Sequence, residues 1–402
     1  MLDLKLDLLQ TLSLAAILYL VGLQLRQRIA LLDRLNIPAA VVGGLLFALL
    51  VLAGRDRFLS VQLDTSAQPV LSVAFFSSIG MGASLALLRA GGLQVVIFLL
   101  IAIAFCLVQN FLGLAIANGF GEHPLLGVMA GSVTLVGGPA TGLAFAPMLE
   151  EAGLVGAGTL ALTSATFGIV CGGLTGTPVG TWLIQRLHLK PSAPPGALET
   201  EEEILKPHTL VVQTDREDVP LIMNMIVLAT AMGLGSILSR WFTSLEWTLP
   251  AYIGAMIVAS IFRNLDDRTG WLRIDPNAMD FVGGFALNIF LVVALMDLKL
   301  WQLAGQALPL FVILAAQVVV IALFALTASF RVMGRDYDSA VMASGFVGFA
   351  LGTTANAVAN MRALVTRFGP APRAFLVVPL VGAFFIDFAN AIIITFFVNW
   401  LR

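Results

Sequence analysis

Two stretches decide the fold: HPLLGVMAGSVTLVGGPATGLAFAPML at residues 123–149 and SAVMASGFVGFALGTTANAVANM at residues 339–361. Both lack Asp, Glu, Lys and Arg and exceed the roughly 20 helical residues that span a bilayer, yet neither reads as a lipid-facing helix. The first carries Gly127, Gly131, Gly137, Gly138 and Gly142. The second crowds together Ser344, Gly345, Gly348, Gly352, Thr353, Thr354, Asn356 and Asn360. Glycine weakens a helix by about 1 kcal/mol relative to alanine, and irregular backbone survives at membrane depth only where protein or a water-filled cavity satisfies it. Each stretch is therefore expected to be a re-entrant hairpin.

The rest of the chain supplies the membrane setting. Of 402 residues, 59% are apolar and 11% charged, with a mean hydropathy of +0.95. So little charge excludes a soluble globular domain, a coiled coil, a disordered chain and a nucleic-acid binder. Ten further charge-poor segments flank the hairpins: 8–25, 35–54, 65–88, 90–121, 152–185, 219–239, 247–262, 281–296, 300–330 and 374–401, the last interrupted only by Asp387. The fold class expected is an all-α polytopic membrane protein. The first helix is expected to be retained, because Asp3, Lys5 and Asp7 precede it and Arg26 and Arg28 follow it without a small-residue cleavage site. Cys106 and Cys171 lie deep in apolar runs and read as packing residues.

Basic residues test the count of spans, since Lys and Arg gather on the cytoplasmic side. With ten spans, two re-entrant hairpins and an external N-terminus, the 22 basic residues divide into 16 inside and 6 outside. With both hairpin stretches crossing fully, the division is 9 to 13, or 13 to 9 when inverted. The re-entrant arrangement gives the stronger bias.

The halves repeat. Val128, Met129 and Ala130 recur as Val341, Met342 and Ala343, while Thr141 and Met148 recur as Thr354 and Met361, all at an offset of 213. Pro38 and Pro250 lie 212 apart, and Gly168 and Gly382 lie 214 apart. Each unit holds five transmembrane helices plus one hairpin, and five is odd, so the second copy enters the bilayer inverted. The expected division is a repeat at 1–185, a cytoplasmic linker at 186–218 and a second repeat at 219–402. Pro191, Pro194, Pro195 and Gly196 discourage helix in that linker.

Inverted repeats with broken segments bring irregular backbone to the midplane from both faces. Free N–H groups there can hold an anion, and free carbonyls a cation. Buried polar side chains point the same way: Ser77, Ser78, Gln109, Asn110, Thr163, Ser164, Thr166, Asn288, Gln317, Asn356, Asn360, Asp387 and Asn390. Asp387 is the one carboxylate well inside a span, and reads as a Na⁺ ligand, a proton-coupling group or a structural anchor. An intramembrane enzyme is disfavoured: His123, His188 and His208 lie at a membrane edge or in the linker, and aspartyl chemistry needs two deep carboxylates. No Gly-Lys-Ser/Thr phosphate loop is present, which favours a carrier driven by an ion gradient over an ATP-driven one.

The chain resembles the bacterial sodium/glutamate symporters over nearly its full length apart from the linker. The resemblance rests on RFGPAPRAFLVVPLVGAFFIDFANA (367–391), LKLWQLAGQALP (298–309), ATFGIVCGGLTGTPV (165–179), GSVTLVGGPATG (131–142), RVMGRDYDSAVMASG (331–345) and RAGGLQVVIFLL (89–100). It implies Na⁺-driven uptake of L-glutamate across a bacterial inner membrane, with Na⁺ as coupling ion and no other cofactor. It also implies contact with membrane lipid, periplasmic termini, and a homodimer whose transport domains move like elevators. The implied substrate cradle is Ser132, Thr134, Gly137, Gly138, Thr141 and Gly142 with Gly345, Gly348, Gly352, Thr353, Thr354 and Asn356. Cation coupling is assigned to Ser77, Ser78, Gln109, Asn110, Asp387 and Asn390. Two departures fall in the cradle. The family's first loop reads Gly-Gly-His-Gly-Thr-Gly, where Pro139 and Ala140 follow Gly138 here, and its second loop carries a histidine where Phe346 stands. Another amino acid or a dicarboxylate stays open as substrate, and a passive channel or receptor-like membrane protein as the alternative class. Arg362, where the family usually has glutamine, reads either as a substrate-carboxylate partner or as a cytoplasmic anchor.

Overall fold

The computed structural model describes residues 2–35, 37–54, 59–191, 221–244, 250–303 and 305–401, so the linker expected at 186–218 lies outside the described residues from 192 onward. The described residues are mostly helical. Helices α1 (Leu8–Arg28), α2 (Ala39–Gly54) and α3 (Ala67–Gly82) lead to α4 (Gly92–Gly119). The first hairpin follows as α5 (Pro124–Val128) and α6 (Gly138–Glu151), and then the long α7 (Ala157–Arg186). The second half runs α8 (Leu221–Thr243), α9 (Ala251–Thr269), α10 (Pro276–Met296) and α11 (Ala307–Phe324). It ends with the second hairpin, α12 (Tyr337–Leu351) and α13 (Thr354–Phe368), and a closing pair, α14 (Pro372–Leu380) and α15 (Ile386–Leu401). Among the described residues, six helices are long and apolar enough to cross a membrane: α1, α4, α7, α8, α10 and α11 with its extension to Val332.

The elements sort into two groups. α1, α2, α3, α8, α9 and α10 pack chiefly on one another, and α4, α7, α11, α14, α15 and both hairpins form the other body. Small residues set the matching crossings of the first group. A Cβ on Gly22 of α1 would strike the Ala39 carbonyl of α2, and one on Gly235 of α8 would strike the Ala255 backbone of α9. These two glycines lie 213 residues apart. Without a hydrophobic drive between helices in lipid, such close backbone approach is what van der Waals packing rewards.

Three segments differ from their expected form. Residues 65–88 are not one span, because α3 stops at Gly82 and Ser84 caps a short helix, Leu85–Ala90. The last span is interrupted by a π-turn at Val381–Phe385, where Pro379 removes an N–H donor and Gly382 weakens the helix. The chain is also not purely helical: Leu2–Leu6 pairs in parallel with Leu59–Leu63, Leu2 opposite Leu59. Leucines alternating with Asp3 and Lys5 give that flank a period of two, and the pairing puts the start of α1 and the approach to α3 at one end of the bundle.

Candidate functional site

The first hairpin is broken inside its leading arm. Gly131, at φ −102° and ψ −131°, interrupts a π-turn at Met129–Val133, and the break strips Ser132 of its regular helical partners. Its N–H donates to Asn110 Oδ1 of α4 at 2.9 Å, and its carbonyl accepts from Asn390 Nδ2 of α15 at 2.8 Å. A Cβ on Gly131 would stand 2.7 Å from that same Asn110 oxygen, so the brace requires glycine. The Thr134 hydroxyl donates to the Met129 carbonyl at 2.6 Å. Every residue from Leu125 to Val136 is buried.

The second hairpin keeps both arms helical and turns at Gly352 and Thr353. Thr353 caps α13, accepting from Asn356 N at 3.3 Å, and Asp336 caps α12, accepting from Ser339 N at 2.8 Å. All fifteen residues of α12 are buried. It lies along a face of α7 bearing Gly168, Gly172, Gly176 and Gly180, one per turn. Cβ atoms there would strike the Leu351 carbonyl, stand 3.2 Å from the Gly348 carbonyl and 2.8 Å from the Ser344 carbonyl, and strike Leu364. Asparagines complete the seam: Asn356 Nδ2 donates to the Ile169 carbonyl at 2.8 Å and Asn360 Nδ2 to the Gly172 carbonyl at 2.9 Å. Thr354 donates to the Gly382 carbonyl in the last span's π-turn at 2.6 Å. On the other side, Phe346 meets Phe105 of α4 and Phe324 of α11 with ring centroids 5.5 and 5.6 Å apart.

Both hairpins return to the end from which they start. In the second, the Tyr337 hydroxyl donates to the Gly369 carbonyl and Arg373 Nη2 bonds Asp336 Oδ1 at 2.5 Å. Burial alone would raise the Asp336 carboxyl, but the Ser339 hydroxyl and N–H and the Arg373 guanidinium outweigh it and hold the group below the usual carboxylate range. In the first, a Cβ on Gly153 would stand 3.1 Å from His123 Nε2. Arms of 15 residues reach about 22 Å, short of the roughly 30 Å hydrocarbon core. The tips meet: Gly138, whose φ of +67° favours glycine, would point a Cβ to within 3.6 Å of the Gly352 carbonyl.

The twelve residues assigned to the cradle all lie on the hairpins, in different settings. Gly138, Gly352 and Thr353 form the meeting tips. Gly142 is a close-packing position against Thr134 and Ala161, Gly345 lies under the Met361 side chain, and Gly348 passes the Ala357 backbone. Of the six residues assigned to cation coupling, Asn110 and Asn390 converge on Ser132, and Gln109 Nε2 donates to the Ala350 carbonyl at 3.0 Å. Asp387, one turn before Asn390, is half-buried and makes no hydrogen bond or ion pair among the described residues. Ser77 and Ser78 sit in the other helix group and bond back to the Val73 and Phe75 carbonyls of their own helix. Arg362 is exposed. The assignment omitted Gln317, whose Nε2 donates to the Gln109 carbonyl at 2.7 Å, and Asn360.

Two buried helical hairpins, braced by amides where the backbone breaks, place this helical membrane protein in the class of polytopic membrane carriers with broken intramembrane segments. Within that class, the chain belongs to the sodium/glutamate symporter family, whose model matches residues 4–370. It is 39% identical over 391 residues to the sodium/glutamate symporter of Escherichia coli (strain K12), covering 97% of this chain and 96% of that protein. It is 37% identical over 384 residues to the sodium/glutamate symporter of Haemophilus influenzae, covering 95% of each. These relatives are named as symporters and not as enzymes.

Proposed function

We propose that this chain is a secondary active transporter that carries L-glutamate inward with Na⁺ across a bacterial inner membrane. The observation that carries the reading is the meeting of two buried hairpins at Gly138 and Gly352 in a chain 39% identical to a named sodium/glutamate symporter. Substrate lies at those tips, held by backbone N–H groups around Ser132–Gly142 and Gly345–Asn356. The cation is coupled through Gln109, Asn110, Asp387 and Asn390, with Ser77 and Ser78 outside the site. The chain is two inverted repeats, 1–185 and 219–402, joined by a cytoplasmic linker, and both termini are periplasmic. Supporting the repeat are the matched glycine crossings at Gly22 and Gly235 and the two hairpins that each close on their own end. In the homodimer, the hairpin-bearing body slides past the body of α1–α3 and α8–α10, an elevator form of alternating access. The elements of each body pack chiefly within that body.

Proteoliposomes holding the full chain test this. An inward Na⁺ gradient should drive uphill accumulation of labelled glutamate, and choline in place of Na⁺ should abolish it. Accumulation independent of Na⁺, or none for any acidic amino acid, defeats the reading. Asp387→Asn should cut Na⁺-driven uptake at least tenfold, the scale of one lost charge-assisted contact, with protein yield near wild type. A second reading, a Na⁺-coupled carrier of another amino acid or of a dicarboxylate, is favoured by Pro139 and Ala140 at the start of α6 and Phe346 within α12, where the family carries histidines. Competition by unlabelled dicarboxylates separates the two.

A further inference from the structure

Gln109 and Asn110 are consecutive residues of α4, yet they reach different hairpins. Asn110 Oδ1 accepts from Ser132 N in the first, while Gln109 Nε2 donates to the Ala350 carbonyl in the second. From α11, Gln317 Nε2 donates to the Gln109 carbonyl. All three side chains are fully buried, and each keeps one polar atom without a partner: Asn110 Nδ2, Gln109 Oε1 and Gln317 Oε1. The amide orientations are fixed by chemistry, because an N–H faces the Asn110 oxygen and backbone carbonyls face the two glutamine nitrogens. The unpaired atoms are therefore a donor on Asn110 and two acceptors on the glutamines.

We infer that this yoke divides the two cargoes: the Asn110 amide N–H takes a carboxylate of the substrate beside the first hairpin, and the Gln109 and Gln317 amide oxygens take the coupling cation beside the second. The inference rests on the Na⁺-coupled reading above. It moves Asn110 from the cation to the anion, because its oxygen is already committed to Ser132. Hard cations favour neutral oxygen ligands, and carboxylates favour N–H donors. A buried polar atom without a partner is unfavourable, so each cargo satisfies atoms to which the protein itself supplies no partner. Because the two halves share one step of α4, filling one orders the turn that presents the other. Each cargo thereby raises affinity for its counterpart.

The test uses the purified full-length chain in two assays. Thermal unfolding in NaCl against choline chloride reads the cation alone, and proteoliposome uptake reads glutamate KM at saturating Na⁺. Gln317→Met, nearly isosteric, should raise the Na⁺ midpoint about tenfold and leave glutamate KM within about twofold. Asn110→Asp should do the reverse, again about tenfold, the scale of a hydrogen bond to a charged group. A merely structural brace would shift both parameters together, and that result, or no shift in either, overturns the inference. So does a wild-type protein that Na⁺ does not stabilise. If Na⁺ stabilises the wild type but glutamate is not transported, the substrate reading fails, and an unchanged Na⁺ midpoint in Gln317→Met still sinks the yoke. Gln109→Met and Asn110→Ser replace any variant that is not recovered folded, with the same outcomes.

Discussion

In the first hairpin the chain breaks within an arm, at Gly131, and other helices come to it: Asn110 from α4 takes the N–H of Ser132 and Asn390 from α15 donates to its carbonyl. In the second, both arms stay helical and the hairpin reaches outward, sending Asn356 and Asn360 to carbonyls of α7 and seating its own carbonyls on that helix's glycine face. One hairpin is held by side chains that receive it, the other mainly by the shape of its seat. Irregular backbone in lipid must be satisfied internally, and these are two solutions to the same requirement. They fail differently. Removing a brace from the first takes a partner from a buried backbone group, whereas filling the seat of the second expels the whole arm.

The seat should be the more sensitive. At Gly168 a Cβ would overlap the Leu351 carbonyl, a backbone atom that cannot swing aside. Gly168→Val is expected to cost about 3 kcal/mol or more, the upper range for overpacking a close-packed interior, with a lowered melting temperature and loss of uptake. A variant that melts like wild type would mean that α12 can slide on α7. Next in size is Asn390→Leu, which leaves the Ser132 carbonyl with only the Gly137 N–H at 3.1 Å. The expected loss is about 1–3 kcal/mol, with faster hydrogen exchange confined to Leu125–Val136. Equal loosening of both hairpins would erase the distinction between them.

That neither 123–149 nor 339–361 is one unbroken helix was legible in the sequence, because glycine, threonine and asparagine crowded into a charge-free run conflict with a lipid-facing helix. The partners of their polar groups were not. Gln109 meets Ala350 from 241 residues away, and Asn356 meets Ile169 from 187. Sequence shows that a buried amide needs a partner but not which distant carbonyl supplies it. Gln317 stands alone in a long apolar helix with no spacing to tie it to the site. Ser77 and Ser78 were drawn into the cation assignment by polarity, but a serine in a helix can satisfy itself on a carbonyl three or four residues back, and both do. The glycine face of α7 was visible as Gly168, Gly172, Gly176 and Gly180 at four-residue spacing, a signal for close helix packing that the glycine-rich hairpins overshadowed. The strand pair at Leu2–Leu6 escaped because its period of two runs only five residues beside a 21-residue helix, and its partner lies 57 residues away.

The smallest effect concerns the base of the second hairpin, where Asp336 and Arg373 lie 2.5 Å apart with side chains 48% and 30% exposed. Solvent screens a pair so open, so its contribution is about 0.2–1 kcal/mol. Its sign with pH follows from the depressed carboxyl. Asp336 binds its proton less readily folded than unfolded, so the clasp contributes fully above the unfolded carboxylate value of 3.8. It is lost as pH falls through the lower folded value. Melting temperature should therefore drop as pH is lowered from 5 toward 3, and Asp336→Asn should flatten that limb while lowering stability slightly at neutral pH. Amide protection at Tyr337–Leu351 should weaken on acidification before that at Leu125–Val136. An unchanged acid limb in Asp336→Asn would show that the Tyr337 hydroxyl on the Gly369 carbonyl holds the base without the ion pair.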